Sequence, residues 1–310
     1  MIRKVLFVAL GVNLAFGLAV QACSARPKCG YTPPGMRALP CVLHGVTIDN
    51  ANGIRNTKLA EQATALTALR RMPTTRIVFD ERTSPSGYTN AINRLQPISY
   101  LMGELLDSSY IKTLNTTQYR QRTQQFLTAF ASKIDIWEIG NEVNGNWTGN
   151  YADVGAKITA AFDVVEAAKK RSALTLWYNA GCGNGPSELS PEAFSTKYVP
   201  ARVRAGIDYV TISYYETQCR NIRPSAATLK SFFQRLHALY PSARVGFGEL
   251  GTPKPVTNAT LGTAQSMASY YYRLKIGLPY YAGFYGWWYF AEDAVPVGTP
   301  MWRTLHGVIL

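Results

Sequence analysis

Two stretches decide how this chain is read: Trp137-Glu138-Ile139-Gly140-Asn141-Glu142-Val143-Asn144 and Val245-Gly246-Phe247-Gly248-Glu249-Leu250-Gly251. Each has a short apolar run punctuated by glycine and a glutamate just past it. This is the pattern of a buried strand that delivers a carboxylate to the loop beyond. Outward from them, similar runs recur at 41–48, 75–80, 100–106, 174–179, 209–215 and 283–289, and the quoted pair complete a set of eight as 134–139 and 243–249. Longer amphipathic segments lie between, among them 57–72, 116–133, 151–171, 226–240 and 261–276, with 301–310 closing the chain. Strand and helix in alternation predict the α/β class, and eight βα units in one domain predict a single (β/α)8 TIM barrel rather than an open sheet. In a barrel Glu142 ends strand four and Glu249 ends strand seven. Both then face the C-terminal rim, where barrel active sites are built.

With 310 residues, 47% of them apolar, the chain can bury one large core. Its start has a different character. Arg3 and Lys4 precede an apolar stretch over 5–20, interrupted by Asn13 and followed by small residues at Ala22 and Cys23. Sixteen residues fall short of the roughly 20 that span a bilayer, so residues 1–22 are read as an export signal peptide. Residues 23–39, rich in Pro and Gly, form a tether, and 40–310 form the barrel. Val20-Gln21-Ala22-Cys23 also fits a lipobox, which would leave Cys23 as a lipid-modified N-terminus attached to the membrane. Simple cleavage after Ala22 is the other reading, and the mature protein is then secreted or periplasmic. Five cysteines in an oxidising compartment leave one unpaired. With Cys23 lipidated, the remaining four are expected to pair as Cys29 with Cys41 and Cys182 with Cys219.

Net charge is +13, and the leader supplies two of the positive groups. Such a surface attracts anionic partners, an acidic polysaccharide or the envelope itself, or simply keeps an exported protein soluble. Lys and Arg are dispersed and no basic cluster interleaves with aromatics, which argues against nucleic acid. His44, His237 and His306 lack ligand spacing for a metal, although His44 on strand one can be placed against substrate. Gly181-Cys182-Gly183-Asn184-Gly185 lacks the endings of a phosphate-binding loop, and no Gly-x-Ser-x-Gly elbow occurs. Asp80, Glu81, Glu104 and Glu216 also end predicted strands and are weaker candidates for the site. Paired carboxylates at the rim remain, and they suit acid/base chemistry on sugars.

At this point the residues carry a resemblance. Asn141-Glu142 after strand four, Glu249 on strand seven, Tyr215 on strand six and Trp287-Trp288 on strand eight resemble the clan A retaining glycoside hydrolases. The likeness spans most of the barrel as scattered motifs. It implies Glu142 as acid/base, Glu249 as nucleophile and Asn141 on the sugar 2-hydroxyl. It further implies that Arg76 on strand two holds the nucleophile ionised and that Tyr215 hydrogen-bonds it. Ser213 stands where the clan frequently has histidine. Of the two adjacent tryptophans, Trp287 is expected to stack on the sugar, with Trp137, Trp147, Trp177 and Tyr178 also available near the rim. The resemblance therefore points to an enzyme, exported on the reading of its leader, that cleaves a β-linked polysaccharide or oligosaccharide by double displacement, endo-acting, and two carboxylates imply no metal or organic cofactor. A non-catalytic surface carbohydrate-binding barrel and a glycan-remodelling transglycosylase are the alternatives.

Overall fold

The structure is a computed structural model that describes residues 32, 35–49, 58–179, 181–183, 185 and 187–310. Eight parallel strands, β1 (Leu43–Ile48), β2 (Thr74–Val78), β3 (Tyr100–Glu104), β4 (Ile136–Glu138), β5 (Arg171–Trp177), β6 (Tyr209–Tyr214), β7 (Arg244–Leu250) and β8 (Tyr281–Trp287), close in sequence order into a barrel. The expected fold is therefore present. Helices α1 (Leu59–Thr67), α2 (Thr89–Leu95), α3 (Thr116–Phe130), α4 (Tyr151–Ala167), α5 (Pro191–Tyr198), α6 (Ala201–Gly206), α7 (Ala226–Leu239), α8 (Leu261–Tyr272), α9 (Phe290–Asp293) and α10 (Pro300–Val308) lie between and after them.

Local chemistry starts several of these helices. Asn115 and Gln118 form a reciprocal capping box at α3, and the Asn150 side chain accepts from Ala152 N at 2.9 Å at the start of α4. Each satisfies backbone donors that the first turn leaves open. The strands are buried along nearly their whole length because helices cover one face and side chains fill the other. β5 and β8 begin earlier than the sequence predicts, at Arg171 and Tyr281. At Arg171 the polar start hides the strand: the side chain turns back to donate to Arg37 O at 3.0 Å.

Inside, the barrel changes character along its axis. Toward its N-terminal end Leu43, Met102, Ile136, Ala173, Tyr209 and Phe284 form an apolar layer, packed from below by Leu39. Arg37 fastens that segment. Its guanidinium donates to Asp135 (Nε to Oδ1, 3.2 Å), to Ser99 O at 2.6 Å and to Gln96 O at 3.1 Å. The last residues of the expected tether are thus seated on the barrel. Cys41 is disulfide-bonded, while Cys29 and Cys23 lie outside the described residues, as does the expected signal peptide. Cys182 and Cys219 form the other expected disulfide, with Cα atoms 4.9 Å apart. Among the described residues no helix is long and apolar enough to cross a membrane.

Candidate active site

One strand position further along the axis, inward-pointing residues become charged. Arg76 of β2 is 2% exposed. Its Nε donates to Glu138 Oε2 at 2.7 Å and its Nη2 to Glu138 Oε1 at 3.3 Å, while Nη2 also lies 2.9 Å from Glu104 Oε2. Its Nη1 donates to Glu249 Oε2 at 2.9 Å. One guanidinium thus faces three carboxyl groups from β3, β4 and β7. Burial pushes Glu104 well above the ordinary carboxylate range, against the pull of Arg76. The Thr175 hydroxyl donates to Glu138 Oε1 and shares a hydrogen bond of 2.8 Å with Thr211, which pins Glu138 from the other side.

Glu249 reaches this group through an irregularity in β7. Ile212 pairs with Phe247 but Ser213 pairs with Glu249, so β7 carries one extra residue there. A bulge of this kind re-aims the side chain that follows it. The extra residue has to be small. A Cβ on Gly248 would stand 2.5 Å from Thr211 Oγ1 and 2.8 Å from Thr175 Oγ1. Glu249 then accepts from Arg76 at Oε2 and from the Tyr215 hydroxyl at Oε1.

Glu142 sits beyond the end of β4 with φ 46°, a left-handed conformation that costs a non-glycine residue on the order of 1–3 kcal/mol. Ser213 donates to Glu142 Oε1, and Ser108 donates to Oε2 at 3.1 Å. Trp147 Nε1 in turn donates to Ser108 Oγ at 3.0 Å. Burial pushes Glu142 up to about 7, with the serine hydroxyls pulling it back down. Burial likewise pushes Glu249 up to about 8, opposed by Arg76 and raised further by Glu142. On those values alone a single shared proton would rest on Glu249. The charge of the donors places it on Glu142 instead. The Arg76 guanidinium is a permanent cation 2.9 Å from Glu249 Oε2 and favours the ionised form there, whereas both direct partners of Glu142 are neutral hydroxyls that serve either form.

Both carboxyls open into a cleft of about 550 Å³ walled by Trp147, Trp177, Tyr215 and Trp288, with Asp107 and Gln218 among its polar residues. Trp147 and Trp177 meet edge to face, their ring centroids 5.8 Å apart. Asn144 anchors Trp177 through both backbone groups, accepting from its N at 2.7 Å and donating to its O at 2.9 Å. Cys182 of the disulfide also lines the cleft. Asn141 is buried beside the site, and its Oδ1 has no hydrogen-bond partner.

Several expectations need correction. Trp287 is buried in the packing between barrel and helices, and its Nε1 donates to Asp293 Oδ2 at 2.9 Å. The half-buried Trp288 lines the cleft instead, 5.5 Å from the Arg76 guanidinium. Along β8 aromatic residues occupy both faces, and pairing with β1 slips by one residue between His44 and Val46, so strand parity does not choose between the two. His44 enters at the opposite end of the barrel, stacked on Tyr285 at 5.5 Å. Trp137 and Tyr178 belong to the core, and Glu216 is paired with Arg223. Asp80 and Glu81 do not line the cleft, whereas Glu104 joins the buried cluster below it. Missed altogether were Glu138, Ser108 and Asp107. Glu138 was accessible in principle: it stands two residues after Ile136, on the inward parity of a strand already assigned.

No family model and no curated protein matches the sequence. Solved structures do match in fold. The catalytic domain of a mannanase from Streptomyces sp. SirexAA-E aligns with a TM-score of 0.56 at 16% identity, over 98% of this chain and 95% of that one. A family 10 xylanase from Bispora sp. MEY-1, solved with xylobiose, gives 0.55 at 13% identity over 86% and 96%. A family 26 endo-β-1,4-mannanase from Cellulomonas fimi gives 0.54 at 10% over 86% and 70%. The solved structures it resembles are clan A glycoside hydrolases, and at these identities the likeness is one of fold.

Proposed function

We propose that the chain is a retaining glycoside hydrolase acting on a β-linked polysaccharide, with Glu249 as nucleophile and Glu142 as acid/base. The observation that carries this is the unequal treatment of two buried carboxyls opening into one aromatic-walled cleft. Glu249 is held by a donor-only cation and a phenol, and Glu142 by two hydroxyls. In the first step Glu249 bonds to the anomeric carbon while the glycosidic C–O bond breaks and the Glu142 proton passes to the leaving oxygen. In the second, water attacks that carbon, the ester to Glu249 breaks, and Glu142 takes up the proton of the water. Arg76 and Tyr215 stabilise the departing carboxylate, Asn141 Oδ1 awaits a sugar hydroxyl, and Trp288 offers an apolar platform. Among the described residues lining the cleft there is no Lys, Arg or His. We read the chain as exported, supported by its disulfides.

Screening wild type and Glu249→Gln against β-glucans, mannans, xylans, galactans and acidic exopolysaccharides tests this, together with trapping by a 2-deoxy-2-fluoro glycoside of the sugar found. Turnover of one polymer, a loss of at least about 10³-fold in the variant, and a trapped adduct on the Glu249 peptide are expected. A variant within a few fold of wild type, or an adduct elsewhere, overturns the assignment.

A further inference from the structure

We propose that Ser213 and Ser108 are positioning residues that clamp both oxygens of Glu142 with reversible hydroxyls, so that one carboxyl group can serve first as acid and then as base. The proposal rests on the reading of Glu142 as acid/base and goes further, to how its proton is managed. Ser213 is fully buried and Ser108 is 3% exposed, and each points its Oγ at a different Glu142 oxygen. With Glu142 ionised, both hydroxyls donate. With Glu142 protonated, the serine beside the protonated oxygen accepts instead, because a hydroxyl has one hydrogen and two lone pairs. Trp147 Nε1 fills one lone pair of Ser108 Oγ at 3.0 Å, which fixes the oxygen while leaving its second lone pair and its hydrogen for Glu142.

No such reversal is open at Glu249 Oε2, whose partner can only donate. Side chains that titrate would blur the switch, and serine does not titrate in this range. The titratable groups facing Glu142 are Asp107 beyond β3, Arg76 on β2, Tyr215 beyond β6 and Glu249 on β7. Asp107 raises the carboxyl, while Arg76 and the two serines lower it.

The test is the pH dependence of kcat/KM for wild type, Ser213→Ala, Ser213→Thr and Ser108→Ala. Removing a donor to the carboxylate raises the pKa of the acid. The alkaline limb should therefore move up by about one pH unit in each alanine variant, with kcat falling more than KM rises. Threonine at 213 keeps the hydroxyl and should return the limb to its wild-type place. If both alanine variants keep the wild-type limb, or if threonine and alanine at 213 behave alike, the clamp is wrong. Should Ser213→Ala fail to fold, Ser108→Ala reads the same limb. If the wild type cleaves none of the glycans, the enzymatic reading fails separately. The clamp is then read by carbon-detected NMR on protein labelled at glutamate carboxyls, with Glu142 assigned from its absence in Glu142→Gln. A higher midpoint in the alanine variants supports it, and an unchanged one overturns it.

Discussion

Three carboxyls around one buried guanidinium cannot all ionise without large cost, and the same holds for Glu142 beside Glu249. The folded protein therefore holds protons that the unfolded chain releases. Glu142 has its pKa raised from the ordinary 4.5 to about 7, so folding binds its proton more tightly. The stability this contributes is fully present below about pH 4.5 and is lost as pH rises through about 7. Glu142→Gln, which mimics the protonated form, should melt close to wild type at pH 4.5 and be more stable at pH 8, on the order of 1–3 kcal/mol. Chemical denaturation at the two pH values measures this, and an equal gap at both would count against a proton on Glu142. At this scale Glu142 and Glu249 were legible at strand ends, and Arg76 within a strand and Tyr215 were legible through the resemblance; the structure brings all four together. Ser108 was not, because it lies in a loop whose course depends on tertiary packing.

Strand irregularities decide which neighbours reach the cleft. The bulge at Gly248 turns Glu249 inward, and the slipped pairing of β8 against β1 accompanies the placing of Trp287 outward and Trp288 at the mouth. The two tryptophans should separate cleanly on mutation. Trp287→Ala removes a fully packed indole and its bond to Asp293, and should cost about 3–5 kcal/mol in a urea titration. Trp288→Ala should leave the unfolding midpoint nearly unchanged and weaken glycan binding at least tenfold, read by isothermal titration with the oligosaccharide that the screen identifies. Reversed effects would restore Trp287 as the platform. The sequence could not reveal this, since alternation fixes parity only while register is unbroken, and glycines such as Gly248 mark where it breaks without saying which way.

For the whole molecule, the barrel was legible because its eight apolar runs and intervening amphipathic segments recur along the entire chain, a signal that local errors of a few residues do not erase. Loop conformations were less so, apart from the cysteine pair. The Cys182–Cys219 bridge spans 37 residues and joins the regions after β5 and β6 beside the cleft. Constraining a loop of that length is worth about 4 kcal/mol in the chain-entropy view. The double variant Cys182→Ser/Cys219→Ser should therefore lose about 2–4 kcal/mol of unfolding free energy, and an unchanged denaturation midpoint would show that the bridge is dispensable.

The seating of Arg37 and Leu39 under the barrel has a bearing on orientation. Both residues lie at the end of the barrel opposite the cleft. If Cys23 carries lipid, the twelve residues from there to Gly35 extend at most about 40 Å. A lipid there would hold the barrel within that height of a membrane, with the cleft on the face away from Arg37 and Leu39.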